Sequence, residues 1–409
     1  MKKITPNILR PLFTNHYSRI TISFLVWRIA LFAVAFAALF FIPKWGGWYP
    51  YADRVLIPTG LPSWVWGFGG FDGVHYLRIM QDGYKSIFSQ AFFPLFPFLG
   101  RLLTNINLLT PKNPAIDTRL FVDPSYFYNS FLLANTLFAA ALFYLYKLFR
   151  IDYSDKVSFL SLSFLLVFPT SFYFGAIYSE SLFLLLAVLS VYFGRKKKYI
   201  VAGLFAGLAS ATRVLGLALL VYLFIEIVGD IRSGKIKFRG IGPIKPLIGL
   251  LIAPMGTVLY MVYLKVMTGD FLYFLTAQPS FGAERSAKPF ILLPQVIYRY
   301  VKMFLLIPVG SLQYLTIVNE FLMTLIPLTL LVVFIKKIRL SYWFFMLICL
   351  IVPTLTGTFS SMPRYALMSF LLFPVVVTKL GKYFLPVSIL LAVLGVILVS
   401  LFTRGYWVA

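Results

Sequence analysis

Acidic residues are scarce here: 13 Asp and Glu stand against 37 Lys and Arg in 409 residues, and charged types together make only 12%. With so little charge and 60% hydrophobic residues, the chain lacks the polar surface of a soluble globule. Its one cysteine, Cys349 in the apolar run WFFMLICLIV, leaves no disulfide framework and no thiolate metal cluster, and reads as a small buried hydrophobe. Two histidines, His16 and His75, are too few for a histidine-rich zinc site. The formal charge of +24 comes with no nucleic-acid motif, so no nucleic-acid partner is expected. Short basic loops beside apolar spans explain it instead, because anionic membrane lipids attract them.

What remains is long apolar runs and a mean hydropathy of +0.88, the composition of an all-α, multi-pass integral membrane protein with lipids as its surroundings. The first run spans about Ile20 to Ile42, after Lys2, Lys3, Arg10 and Arg19, which places the amino end in the cytoplasm as an uncleaved signal anchor. The mature chain is then expected to start near Met1. Basic clusters at Lys147, Arg150 and Lys156, at 195–198, at Arg232, Lys235, Lys237 and Arg239, at Lys336, Lys337 and Arg339, and at Lys379 and Lys382 mark further cytoplasmic loops.

Between two cytoplasmic loops the chain crosses an even number of times, and this parity assigns a side to every polar motif. It makes 43–123 a large first external loop, with AFFPLFPFLGRLL too short and proline-broken to span and therefore interfacial or re-entrant. It sends 199–228 out and back, two short helices hinged at Arg213; one long tilted helix is the alternative and would misplace a basic loop. Thirty residues rise roughly 45 Å, enough for such a hairpin. YSES at 178–181, the second large external loop at 267–312 with an amphipathic helix over 290–308 carrying Tyr298, Arg299, Tyr300 and Lys302, and SSMPRYA at 360–366 all fall outside. The expected whole is one domain, 1–409, with about eleven transmembrane helices, amino end in and carboxyl end out.

The unusual polar residues then gather on the external face: Asp72, His75, Asp82, Glu180, Arg213, Gln278, Glu284, Arg285 and Arg364. An arginine within an apolar stretch costs roughly 3 kcal/mol on insertion scales, so Arg213 needs a partner or a function. Two external arginines suit a lipid-linked phosphate, which guanidinium binds through paired, charge-assisted hydrogen bonds. A carboxylate beside them suits a general base. If 71–81 is helical, Asp72 and His75 share a face; Asp72 is equally well placed to cap that helix. Gly69, Gly70 and Gly73 allow backbone close to a ligand. Carboxylates could also hold a divalent cation, and the sequence leaves that open.

FDGVHYLRIMQDGY at 71–84, followed by AFFPLFP, resembles the signature of the PIG-V mannosyltransferases, the GPI mannosyltransferase II group and its prokaryotic relatives. YSESLFLLLAVLSVYF (178–193), AGLFAGLASATRVLGLAL (202–219), AQPSFG (277–282) and MPRYAL (362–367) follow in the family's order, with departures at Met80 and near Phe281. The resemblance implies a GT-C glycosyltransferase that takes its sugar from a polyprenyl or dolichyl phosphate and passes it to a glycan or glycolipid with inversion on the external face. It implies Asp72 and His75 as catalytic residues and Arg213 and Arg364 as donor-phosphate ligands. Asp82, Tyr76, Glu180, Gln278, Arg285 and Tyr365 are expected to line the substrates. No cofactor is required by such chemistry, and some relatives work with an accessory membrane subunit. A transporter or flippase of lipid-linked sugars, and a binding protein with a decayed site, are the competing readings.

Overall fold

The computed structural model describes residues 15–46, 51–235, 244–287 and 290–408. Lys2, Lys3, Arg10, Lys237, Arg239 and the chain ahead of Asn15, where the signal anchor is expected to begin, lie outside the described residues. Among the described residues the structure is helix, turn and irregular chain, with no strand. The principal helices are α1 (His16–Phe41), α2 (Asp72–Asp82), α3 (Leu95–Asn105), α4 (Pro124–Phe149), α5 (Asp155–Val167), α6 (Glu180–Arg195), α7 (Tyr199–Thr212), α8 (Ala218–Arg232), α9 (Ile244–Ile252), α10 (Met255–Thr268), α11 (Leu293–Leu306), α12 (Leu312–Val333), α13 (Leu340–Ile351), α14 (Phe373–Leu380) and α15 (Phe384–Thr403).

Among the described residues, six helical stretches have the length and apolarity to cross a membrane: His16–Phe41, Pro124–Phe149, Val214–Arg232, Ile244–Thr268, Leu312–Val333 and Met362–Thr403. Their outward faces carry exposed Ile29, Phe40, Val266, Leu322 and Leu390, as expected where lipid is the solvent. Polar side chains close the helix starts: Asn15 accepts the Tyr17 N–H, Asp123 the Ser125 N–H and Ser311 the Tyr314 N–H. Eleven crossings would require shorter helices to cross as well. The 13 residues of α5 rise about 20 Å, less than the ~30 Å hydrocarbon core. The chain after it, Phe168 to Ser179, contains no α-helix, only a 3-10 turn over Ser171–Gly175, and is buried throughout, a setting in which non-helical backbone is tolerated at membrane depth.

The hinge at Arg213 is present. Helix α7 stops at Thr212, Arg213 is extended (φ −156°, ψ 145°), and a short 3-10 turn over Val214–Leu217 leads into α8. That turn folds back on the end of α7 so closely that a Cβ at Gly216 would lie 2.3 Å from the Ser210 nitrogen. A single long tilted helix is thereby excluded. AFFPLFPFLGRLL gives only α3, 11 residues, consistent with a segment that does not span. Met80, one departure from the family pattern, packs into the room left by Gly100 on α3 and accepts a contact from Ser130 Oγ at 2.9 Å.

The segment around 260–276 docks on the chain just ahead of α3. Phe93, Tyr260, Leu264 and Phe274 form a small apolar cluster of their own, and the Tyr260 hydroxyl donates to the Gln90 carbonyl at 2.7 Å. Farther along, Ser286 N donates to Thr356 O at 2.8 Å, Ile291 N to Leu355 O at 3.0 Å and Arg299 Nη1 to Gly357 O at 3.0 Å. These contacts from Ser286, Ile291 and Arg299 hold the chain that leads into Arg364.

Candidate active site

Helix α2 begins where the backbone is least comfortable. Phe71, the residue before it, has φ 54° and ψ −117°, a region that costs a bulky residue on the order of 1–3 kcal/mol. Its ring is held by Phe402 and Trp407, with centroids 5.4 and 5.3 Å away. Gly73 lets the helix start against the Ile177 carbonyl, which a Cβ there would meet at 3.3 Å, and the Tyr178 hydroxyl donates to Gly70 O at 3.1 Å. These contacts set Asp72 beside the segment that opens α6 with Glu180. Gly73 therefore serves packing against neighbouring chain.

Asp72 is the first helical residue rather than the cap, and its carboxylate is turned to an arginine. Arg364 Nη1 lies 2.5 Å from Asp72 Oδ2 and 3.7 Å from Glu180 Oε1, while its Nη2 donates to Ser361 Oγ at 2.9 Å. The guanidinium sits over the rings of Tyr173, Tyr178 and Trp407, at 5.5, 5.4 and 5.9 Å. Arg213 Nη1 meets the same Glu180 oxygen at 2.5 Å and lies over Tyr365 at 5.0 Å. Glu180 is 1% exposed, and its second oxygen, Oε2, has no hydrogen-bond partner. A third cation closes the group: Arg285 Nη2 donates to Ser361 Oγ at 3.1 Å. Ser361 itself has φ 71°, so both Asp72 and Arg364 follow closely on a non-glycine residue with positive φ.

Three guanidiniums thus surround two carboxylates, a surplus of one positive charge in a buried polar nest walled by aromatics. Burial pushes the Asp72 carboxyl upward, but Arg364, with smaller help from His75 and Arg285, outweighs it and holds the group below its ordinary value. Burial likewise lowers the His75 imidazole, only partly offset by Asp72, so that the ring is neutral near pH 7. His75 lies one turn beyond Asp72 and stacks on Phe92, centroids 5.2 Å apart at 21°, with the edge of Phe281 at 5.7 Å.

Of the other expected residues, Tyr76 joins the cluster by donating to Ser179 Oγ at 2.9 Å, and Tyr365 joins it beneath Arg213. Asp82 does not. It ends the helix that Asp72 begins, ten residues or about 15 Å away, in a groove with Arg54, Arg78 and Arg119. Gln278 gives its amide to the Phe274 carbonyl at 3.1 Å, and Glu284 is exposed. Ser361, Tyr173 and Tyr178 also belong to the nest, though a serine or tyrosine in an apolar chain carries no signal of its own. Among the described residues no three His, Cys, Asp or Glu side chains converge as a metal set.

The profile of the family described as Mannosyltransferase (PIG-V) matches residues 17–404, and every charged member of the nest lies inside that range. The chain belongs to the PIG-V mannosyltransferase family. No curated protein matches this PIG-V chain. It is similar to solved structures of the oligosaccharyltransferase of Archaeoglobus fulgidus: the complex with Zn and sulfate (12% identity), the form tethered to an acceptor peptide containing the NVT sequon (11%) and the apo form (14%). The alignments cover 92%, 93% and 94% of the PIG-V chain, each with a TM-score of 0.39. They cover 53%, 55% and 56% of those structures, so the PIG-V chain spans about half the length of the oligosaccharyltransferase it matches.

Proposed function

We propose that this protein is a GT-C type membrane glycosyltransferase that moves a mannosyl unit from a polyprenyl or dolichyl phosphate to a hydroxyl of a glycan or glycolipid, with inversion, on the external or luminal face. The observation that carries the proposal is the Asp72–Arg364 pair, joined through Glu180 to Arg213. Carboxylates and two guanidiniums meet at one point from distant parts of the chain, which supports Asp72 as proton acceptor and Arg213 and Arg364 as phosphate-binding groups.

In this reaction the acceptor hydroxyl gives its proton to Asp72 as its oxygen bonds to the anomeric carbon. The bond from that carbon to the phosphate oxygen breaks on the opposite side, and the lipid phosphate departs. A donor phosphodiester carries one negative charge and the departing phosphomonoester up to two, so fixed guanidiniums stabilise the transition state more than the ground state. The surplus positive charge of the nest matches the charge of the incoming donor. Asp72 and the donor phosphate both seek Arg364, so donor arrival loosens the arginine's hold and makes the carboxylate a stronger base when it is needed. His75, neutral and stacked, is assigned to the acceptor side, with Tyr76 and Tyr365 on the walls.

Purified protein given labelled mannosyl polyprenyl phosphate and a panel of glycan acceptors tests the proposal. Transfer by wild type and its loss in Asp72→Asn supports it. Carriage of the lipid-linked sugar across a bilayer without transfer would replace it with a transporter.

A further inference from the structure

A second polar site lies at the opposite end of α6. Glu180 opens that helix in the nest, and Lys196 follows its last residue, sixteen positions or about 24 Å away. There the ends of α4 and α6 bound a cavity of about 530 Å³ lined by Tyr146, Lys147, Arg150, Ile151, Tyr192 and Lys196: three cations and two tyrosines, without a carboxylate.

The nearby acids lie outside the lining and are already paired, Asp155 in part with the lining residue Tyr146. Asp152 is taken by Arg195, whose Nη2 donates to Oδ1 at 2.7 Å. Asp155 is shared by Arg19 at 3.4 Å, by His16 at 3.2 Å and by the Tyr146 hydroxyl at 2.5 Å. The cations of the cavity rest on weaker partners. Lys147 Nζ lies over the rings of Tyr144 (5.1 Å) and Tyr17 (5.7 Å), Lys196 Nζ over Tyr192 (5.9 Å), and Arg150 Nη1 donates to the Tyr153 carbonyl at 2.6 Å. Three positive charges therefore converge on one space, with no carboxylate in its lining, where two apolar helices end.

We propose that this cavity binds the phosphate headgroup of an anionic membrane phospholipid. The position supports it, because helix ends mark the height at which lipid phosphates lie, and tyrosine prefers that boundary for its apolar ring and polar tip. The charge supports it too: a basic recess at the end of a helix able to span, here α4, attracts anionic headgroups, and three cations act on one phosphate. The inference is independent of any transfer reaction.

The test is native mass spectrometry of the full chain released from membranes containing equal phosphatidylglycerol and phosphatidylcholine. Wild type should retain phosphatidylglycerol at least about tenfold over phosphatidylcholine, the preference expected of a basic recess. Lys147→Ala/Arg150→Ala/Lys196→Ala should abolish that preference, and Arg150→Ala/Lys196→Ala, confined to exposed side chains, should reduce it without altering thermal unfolding in phosphatidylcholine. Equal retention of both lipids by wild type, or an unchanged preference in the variants, would mean that the cations only neutralise helix ends, and would overturn the proposal. So would release of bound phosphatidylglycerol by low-millimolar inorganic phosphate, which would assign the cavity to free phosphate.

Discussion

Arg364 holds Asp72 at 2.5 Å across 292 positions of sequence, and the same guanidinium stands 3.7 Å from Glu180. The proposed base is thus tied, in the free protein, to the group proposed to receive the donor phosphate. Competition for that shared arginine should change base strength and donor binding together.

The pH dependence of transfer should show the tie. With Arg364 holding the Asp72 carboxyl below its ordinary value despite burial, the acid limb of kcat/KM should lie below the usual aspartate range near about 3.9. Once the phosphate competes for Arg364, the carboxyl rises, and the acid limb of kcat should lie at higher pH than that of kcat/KM. Coincident limbs would mean that the phosphate does not draw on Arg364. Because the folded value is lowered, the pair's contribution to stability is present above the unfolded aspartate value and is lost as pH falls through the folded one.

Arg213→Gln should be costly to the fold. It leaves Glu180, 1% exposed, with only the more distant Arg364 as counter-charge, and breaking a buried pair from one side costs about 3 kcal/mol. Adding Glu180→Gln should recover most of the thermal stability lost by the single variant. Transfer should stay at least about tenfold down in the double variant, since the cation proposed to bind the donor phosphate is still missing.

Ser361→Gly should separate fold from site. A non-glycine residue at φ 71° is strained, and glycine relieves that by roughly 1 kcal/mol. The same change deletes the hydroxyl that accepts from both Arg285 and Arg364. Thermal unfolding should be unchanged or later, while donor KM rises about tenfold or more, the scale of a lost charge-assisted hydrogen bond; a fall in stability with unchanged KM would contradict the assignment.

A buried pair beside the site should matter for stability. The Tyr300 hydroxyl donates to Glu320 Oε2 at 2.5 Å, and its oxygen accepts the Phe359 N–H at 3.0 Å, two residues before Ser361. Tyr300→Phe strands the Glu320 carboxylate and the Phe359 amide, a loss of about 1–3 kcal/mol in unfolding measurements. Glu320→Gln in that background should restore part of it.

Much of this is legible in the sequence, for identifiable reasons. An arginine inside an apolar run of thirty residues announces a break, and Arg213 is one. Asp72 and His75, three apart after a pair of glycines, do share a helical face. What spacing cannot reveal is pairing: nothing in the chain says that Asp72 meets Arg364, that Glu180 serves two arginines at once, or that Ser361 bridges Arg285 and Arg364. Asp82 looks like a site residue by its place in the motif, and the rise of the helix carries it away. Arg28 sits in an apolar run just as Arg213 does, yet the helix His16–Phe41 continues through it, because its guanidinium finds partners without a break in the chain. Its guanidinium lies 4.1, 4.4 and 4.5 Å from the rings of Phe32, Phe68 and Phe131 and donates to Gly175 O at 3.0 Å, contacts made only on folding.

The most direct measurement is sugar transfer by purified wild type and Asp72→Asn, with donor binding measured on both. The account predicts transfer by wild type, a fall of about 10² to 10⁴ in the variant, and donor affinity no weaker than in wild type, since Arg364 is freed of its competitor. Equal transfer by the two proteins would show that the Asp72–Arg364 pair is structural and that the base lies elsewhere.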